Sequence, residues 1–158
     1  MKNAAAWLTN YERFGAALFY PAEVETHAAL LRDGPREEVV AALSSDNEMA
    51  LRLAALLVVN EQQLPLHDEL ILLLDDAQAE VRQHARSVLV QFAGVDLGPA
   101  VDAAAAARQT SIARWQKWRR MTAQQFSTLS VEELLSQLNA EDAAARWGAV
   151  EELRRRDA

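Results

Sequence analysis

Apolar residues recur along this chain at the spacing of helices that bury one face. The first stripe stands at i, i+4, i+7 and i+11, in Trp7, Tyr11, Phe14 and Leu18. Short segments of this kind alternate with breaks, so the pattern predicts antiparallel helix hairpins rather than a few long bundle helices. Ala, Leu, Glu and Arg are frequent in these segments, and they lose little conformational freedom in a helix. The pattern therefore predicts an all-α protein.

Single residues mark where the predicted helices begin and end. A second helix, with its apolar stripe at 24–31, ends at the turn 33–35. Ser130 and Glu133 have the spacing of a capping box, in which each side chain bonds the other residue's backbone N–H. Proline is tolerated in the first helical turn, and it predicts helix starts at Pro21, Pro65 and Pro99.

A short motif repeats along the chain. Asp46 is followed six residues later by Arg52, and 30 residues further on Asp76 is followed in the same way by Arg82. Arginines preceded by a small or apolar residue form a series at Arg52, Arg82, Arg114 and Arg146. Each motif follows a short apolar segment that predicts a first helix, at 39–43, 70–74, 101–107 and 134–138. Each motif opens a second helix, and the apolar stripe on the first two of these helices predicts burial of Leu51, Ala55, Val59, Val81, Ala85 and Leu89.

A period near 31 residues with two helices per period is typical of a solenoid, because one hairpin cannot bury its own apolar face. The segment 74–85, with an acidic turn followed by Val81 and Arg82, resembles HEAT repeats of the short bacterial kind. The resemblance implies a right-handed α–α superhelix of about five stacked helical hairpins. The single domain, 1–158, would comprise an N-terminal capping pair of helices at 1–34 and repeat units at 36–65, 66–97, 98–129 and 130–158.

In HEAT repeats the turn aspartate and the helix arginine typically support neighbouring units through a ladder of hydrogen bonds. Asp76 and Arg82 stand at both positions in one unit, as Asp46 and Arg52 do in the unit before it. We therefore expect Asp76 to bond nearby backbone or Arg82. The aspartate position of the third and fourth units carries other residues, Arg108 and Ala140.

Composition limits the functions that the chain can have. Cysteine is absent, which excludes disulfides, thiolate metal sites and thiol nucleophiles. No run approaches roughly 18 uncharged apolar residues, and the N-terminal apolar run is too short for a signal peptide. We expect a soluble, cytoplasmic protein that does not associate with membranes. The net charge of −7 repels phosphate backbones and disfavours nucleic acid as a partner.

Candidate catalytic and metal-binding residues form no recognisable site in the sequence. No two of the histidines, His27, His67 and His84, have the i, i+4 spacing of metal ligands, and we expect them to be exposed or to face a partner. Paired acids such as Glu151 and Glu152 can serve acid–base chemistry, but structural roles such as charge at helix starts are favoured. We predict no enzymatic activity, no cofactor and no metal.

The segment 108–121 is the most unusual part of the chain. It carries five basic residues and no acid, whereas residues 1–107 carry 7 basic and 16 acidic side chains. Basic residues interleaved with tryptophans can bind nucleic acid or anionic membranes. Ile112, Trp115 and Trp118 recur every three residues, however, which favours a packed helix face. The basic side chains would then attract an acidic partner or support self-association.

These patterns favour a non-enzymatic scaffold or adaptor for protein–protein interactions. In HEAT-like proteins the second helices usually line the concave face. This implies partner-binding residues at Gln83, His84, Arg86, Gln91, Gln116, Lys117, Arg120, Arg154 and Arg155. Two alternatives follow from the resemblance, since some HEAT-like proteins are alkylpurine DNA glycosylases and others are phycobilin lyases or chaperone-like subunits.

Overall fold

The computed structural model describes residues 21–46 and 48–157, and within these ranges the chain is helical and contains no strand. A short 3₁₀ turn, Leu73–Asp75, follows the fourth helix. The helices are α1 (Pro21–Asp33), α2 (Arg36–Leu43), α3 (Met49–Gln62), α4 (His67–Leu72), α5 (Ala79–Ala93), α6 (Ala105–Ser127), α7 (Val131–Gln137) and α8 (Ala143–Asp157). The predicted N-terminal stripe of Trp7, Tyr11, Phe14 and Leu18 lies outside the described residues.

Several predicted helix boundaries are confirmed, but the helix start predicted at Pro99 is wrong, because the next helix begins at Ala105. Helix α1 begins at Pro21, and Pro35 directly precedes α2 in an extended conformation. Ser130 and Glu133 form the predicted capping box, with the Ser130 N–H donating to the Glu133 carboxylate at 2.7 Å. Helix α5 ends at Gly94, whose φ of 68° lies in the left-handed region that glycine adopts without steric cost.

The predicted first helix of the third unit, 101–107, is wrong. Residues 94–104 form an irregular connection, and α6 begins only at Ala105 and continues for 23 residues. Side chains from two helices hold this connection: Arg82 Nη2 donates to the Val101 carbonyl at 3.1 Å, and Trp115 Nε1 donates to the Gly98 carbonyl at 2.7 Å. The alanines have a high helix propensity, but these tertiary bonds to the connection outweigh it. The third unit is therefore one long helix and not a hairpin.

One hydrophobic cluster runs from Val24 in α1 to Trp147 in α8. Of the six residues predicted to be buried on α3 and α5, Leu51 is half-buried and the other five have no exposed surface. Helices α1 and α2 pack on α3, α3 and α4 pack on α5, and α4 contacts α6. Helix α8 is packed against α5, α6 and α7. The apolar stripes of these helices are thus buried against one another.

Candidate functional site

An arginine stands at the fourth position of four helices and bonds the turn that precedes its helix. Arg52 donates to the Ser45 carbonyl, and Arg82 donates to the Asp76 carbonyl at 2.8 Å. The equivalent arginines of α6 and α8 donate in the same way, Arg108 to Ala103 and Arg146 to Ala140. The predicted repeat position Arg114 is therefore wrong for the third unit, because Arg108 takes that place and Arg114 is exposed.

Three of these arginines, Arg52, Arg82 and Arg108, also bond residues beyond their own helix and its preceding turn. The side chains of Arg52 and Asp76 are 5% and 10% exposed, and Arg52 Nε lies 2.9 Å from Asp76 Oδ2. Asp76 Oδ1 accepts from the Gln78 N–H at 2.8 Å, which confirms the predicted backbone bond. Arg82 contacts the Asp76 backbone rather than its carboxylate, while Arg108 pairs with Asp75 at 2.6 Å. These contacts join α3 to the turn before α5, and the 3₁₀ turn to α6.

The prediction that the histidines are exposed or face a partner is wrong for two of them. His84, which was also a predicted partner-binding residue, is 3% exposed, and its Nδ1 lies 2.6 Å from the Glu80 carbonyl oxygen. His67 is 2% exposed and stands between the rings of Phe92 and Trp118. Burial lowers the pKa of both imidazoles, because a low-dielectric surrounding disfavours the charged form. His27 is half-buried.

His67 belongs to a cluster of charged groups where α4, α6 and α8 meet. Its Nδ1 lies 3.6 Å from Glu151 Oε2, and Arg119 donates to the other oxygen of Glu151. Arg119 Nε also lies 3.6 Å from Asp68 Oδ1. The buried atoms His67 Nδ1 and Arg119 Nε have no hydrogen-bond partner among the described residues. Three helices thus bring a histidine, two acids and an arginine into one partly buried group.

Burial sets the protonation of this cluster. It raises the pKa of Glu151 to about 7, against the opposing effect of Arg119 and with a smaller contribution from Asp68 and Glu69. Burial and the positive charge of Arg119 lower the pKa of His67 to about 4. Glu151 therefore exchanges a proton near neutral pH, while His67 stays neutral.

A cavity of about 500 Å³ adjoins the cluster between α6 and α8. Arg119 and Glu151 line it together with Glu152, whose carboxylate accepts hydrogen bonds from Arg155 and Arg156. The bond from Arg155 is the main cause that lowers the pKa of Glu152 to about 2. The charges that line this cavity are thus largely paired with each other.

The sequence does not reveal this cluster as a site. Glu151 is recognisable there only as one of a pair of acids, and it lies in the middle of α8 rather than at a helix start. Its environment depends on the side of α8 that faces α4 and α6, which is a property of the tertiary packing. The one local signal is the apolar stripe around His67, which places that histidine on a buried helix face.

The basic segment divides into a packed side and an exposed side. Trp115 has no exposed surface and Ile112 is 8% exposed, so the predicted packing role of this stripe is confirmed. Trp118 is half-buried, with its ring centroid 5.7 Å from that of Trp115. Of the basic residues, Arg108 and Arg119 are paired with acids. The other three are exposed and form no ion pair with any described residue: Arg114, Lys117 and Arg120.

The remaining predicted partner-binding residues differ in exposure. Gln83 and Gln116 are exposed, as is Arg154. Arg155 is exposed but pairs with Glu152 at 2.6 Å. Gln91 is half-buried, and Arg86 is half-buried and donates to Asp96 at 3.0 Å. The free cations at predicted partner positions are therefore Lys117 and Arg120 on α6 and Arg154 on α8, within the part of the chain that the structure describes.

Among residues 21–46 and 48–157, no three His, Asp or Glu side chains come together as metal ligands. The helices in these ranges lack the length and apolar character of a membrane span. No protein-family model, curated protein or solved structure matches the chain.

Proposed function

We propose that the chain is a non-enzymatic scaffold for protein–protein interactions, and that the exposed face of α6 binds a partner with an acidic surface. The observation that carries the proposal is a set of three exposed cations without ion pairs to described residues: Arg114, Lys117 and Arg120. They lie on a 23-residue helix that contains no acid, in a chain with a net charge of −7. Unpaired positive charges on a protein with a negative net charge attract an acidic partner surface.

The opposite side of α6 supports this role because it holds the helix in place. Trp115 is fully buried and its indole N–H is bonded to the Gly98 carbonyl. Arg108 and Arg119 tie the two halves of the helix to acids of the 3₁₀ turn, α4 and α8. A rigid helix presents its side chains without a large entropic cost on binding.

We further propose that the helices form a HEAT-like right-handed superhelix. The helix-start arginines that bond their own turns, and in two cases the next unit, support this arrangement. Stacks of this kind offer a long surface on which exposed residues can vary without cost to the core.

DNA binding is the second candidate, and it is less well supported. A nucleic-acid platform on α6 would need aromatic faces on which bases can stack. Trp115 is fully buried, and Trp118 is half-buried between Trp115 and His67. Only the three free cations remain for phosphate contacts, which favours a protein partner.

Affinity capture from lysate of the source cells, followed by mass spectrometry, tests the proposal. We compare the wild type with a triple variant, Arg114→Glu/Lys117→Glu/Arg120→Glu, and we compare Lys117→Glu with Arg36→Glu as a matched single reversal. Arg36 is the exposed first residue of α2, so its reversal changes the net charge equally at a distant place. We expect acidic proteins that are captured by the wild type and by Arg36→Glu, weakened by Lys117→Glu and lost in the triple variant.

Two results would overturn this choice. An unchanged set of captured proteins in the triple variant would show that α6 is not the docking face. Binding to phosphates weakens as salt rises, because each phosphate contact releases counterions. Micromolar binding of duplex or single-stranded DNA with this salt dependence would show that the face binds nucleic acid.

A further inference from the structure

A shallow groove runs along the C-terminal half of α6. Its walls include Trp118, Met121 and Leu129, with Gln125 and Thr128 at its polar border, and its volume is about 670 Å³. Met121 is 61% exposed, so a large apolar side chain lies at the solvent-facing side of the groove. Methionine is flexible and polarisable, so it adapts to apolar groups of different shapes.

The groove continues the same side of α6 that carries two of the free cations. Lys117 stands four residues before Met121 and Arg114 stands seven before it, so the three side chains lie on one side of the helix. At the rise of an α-helix these positions are about 6 Å and 10 Å from Met121 along the axis. An apolar contact surface and two positive charges therefore follow one another along one line.

We propose that this groove binds an acidic amphipathic segment of the partner protein, and this inference rests on the proposed function. A large apolar side chain of the segment occupies the groove against Trp118, Met121 and Leu129. Carboxylates one and two helical turns away along the segment pair with Lys117 and Arg114. The groove supplies the contact area and the cations fix the direction and register of the segment.

The charges on α6 select this occupant over others. A basic segment would be repelled by α6, which has five basic residues and no acid. A purely apolar segment would fill the groove but leave Arg114 and Lys117 without partners. The matched spacing of the two charges from Met121 favours a segment with regular geometry.

Selection from a displayed library of random 16-residue peptides tests the proposal directly. The immobilised full-length chain is the bait, and the selected peptides are synthesised and titrated by fluorescence anisotropy at physiological salt. We expect the enriched peptides to contain a large apolar residue with two acids within two helical turns of it, and to bind with micromolar affinity.

Variants of the chain separate the two parts of the site. Met121→Gln removes the apolar contact without adding charge and Lys117→Glu reverses one charge, and we expect each to weaken a selected peptide at least tenfold. Arg36→Glu is the control and should stay within twofold of the wild type. Since all three residues are exposed, the melting temperatures of the variants should match that of the wild type.

Each alternative outcome overturns a defined part of the proposal. If no peptides are enriched, or if the enriched peptides lack acids, an acidic segment is not what binds in the groove. If the affinity of the peptides falls with Lys117→Glu but not with Met121→Gln, the groove is not part of the site, and the basic docking face of the proposed function remains. A 20-nucleotide single strand that binds more tightly than the peptides, and that loses affinity in Met121→Gln, would assign the groove to nucleic acid.

Discussion

Asp76 shows how a single side chain can join a turn to an earlier helix. Its carboxylate holds the turn before α5 through the Gln78 N–H and at the same time pairs with Arg52 of α3. Both charges are nearly buried, so each depends on the other to offset the loss of water. A residue that the sequence assigns to a turn is thus a link between units.

We predict that Asp76→Ala lowers the free energy of unfolding by about 3 kcal/mol, because it leaves the buried guanidinium of Arg52 without its carboxylate. This exceeds the roughly 1 kcal/mol expected from the loss of a helix cap alone. Urea titration followed by circular dichroism measures the change. Asp46→Ala is the matched control, since Asp46 stands at the equivalent turn and is exposed. Equal effects of the two substitutions would contradict a link between units at Asp76.

The ionisation of the Glu151 carboxyl makes the stability of the folded chain depend on pH. Its pKa in the folded chain, about 7, is above its usual 4.5, so the folded state binds more protons than the unfolded state between these values. The contribution of this carboxyl to the free energy of unfolding is fully present at low pH, and it is lost as the pH rises through about 7. His67 acts in the opposite direction between pH 6.5 and about 4, because its imidazole stays neutral in the folded state.

We predict that Glu151→Gln removes the part of the pH dependence that belongs to this carboxyl. Relative to the wild type, the variant should gain about 1–2 kcal/mol of unfolding free energy between pH 5 and pH 8, allowing for partial exposure of the side chain. Urea titrations at several pH values measure the difference, in which the contribution of His67 largely cancels. Glu132→Gln on the exposed side of α7 is the control. A difference that stays constant with pH would show that Glu151 is ionised throughout this range.

Helices α6 and α8 approach closely at a glycine of α8. Gly148 lies in the middle of α8, where glycine weakens an isolated helix. A Cβ atom at this position would overlap the ring of Phe126 on α6. The absence of a side chain therefore allows Phe126 to pack directly on the backbone of α8.

We predict that Gly148→Ala destabilises the protein by about 1–3 kcal/mol, the usual cost of overpacking a core. Helix propensity alone predicts the opposite sign, a gain of about 1 kcal/mol. The thermal unfolding midpoint distinguishes the two. Replacing Phe126 with Leu in the same chain should recover part of the loss by making room for the methyl group. A higher melting temperature in Gly148→Ala would show that α6 and α8 do not approach as closely as described.

Contacts between helices that are not consecutive in the chain hold the molecule together. The cluster of buried residues from α1 to α8 contains a series of ring contacts that link α8, α5, α4 and α6. Phe92 lies 4.8 Å from Trp147 and 5.9 Å from His67, measured between ring centroids. His67 is in turn 5.8 Å from Trp118. Helix α8 thus closes onto helices of two earlier units.

We predict that the described helices unfold in one cooperative transition. Because buried contacts continue from α1 to α8, loss of one unit removes packing from the others. Urea unfolding of a Trp7→Phe variant, in which the tryptophans observed are those on α6 and α8, should give coincident curves by fluorescence and by circular dichroism. Two separate midpoints would indicate units that unfold independently, as in an extended repeat array.

Local sequence determined the helices and much of the first two units. The apolar stripes of α3 and α5 predicted the burial of Val59 and Val81, because helical periodicity places them on one face in any context that buries that face. Ser130 and Glu133 predicted their capping box for the same reason, since both partners lie within one turn. These features need no information from distant parts of the chain.

Features that depend on a residue's neighbours in space were decided only by the tertiary structure. The alanines before α6 have a helical sequence, but Arg82 and Trp115 bond the carbonyls of the connection and keep it irregular. Arg108 rather than Arg114 takes the repeat position for the same reason, because α6 starts after that connection. Glu151 and His67 acquire their shifted pKa values only where α4, α6 and α8 meet. Propensity and periodicity act between neighbours in sequence, whereas burial and charge pairing act between neighbours in space.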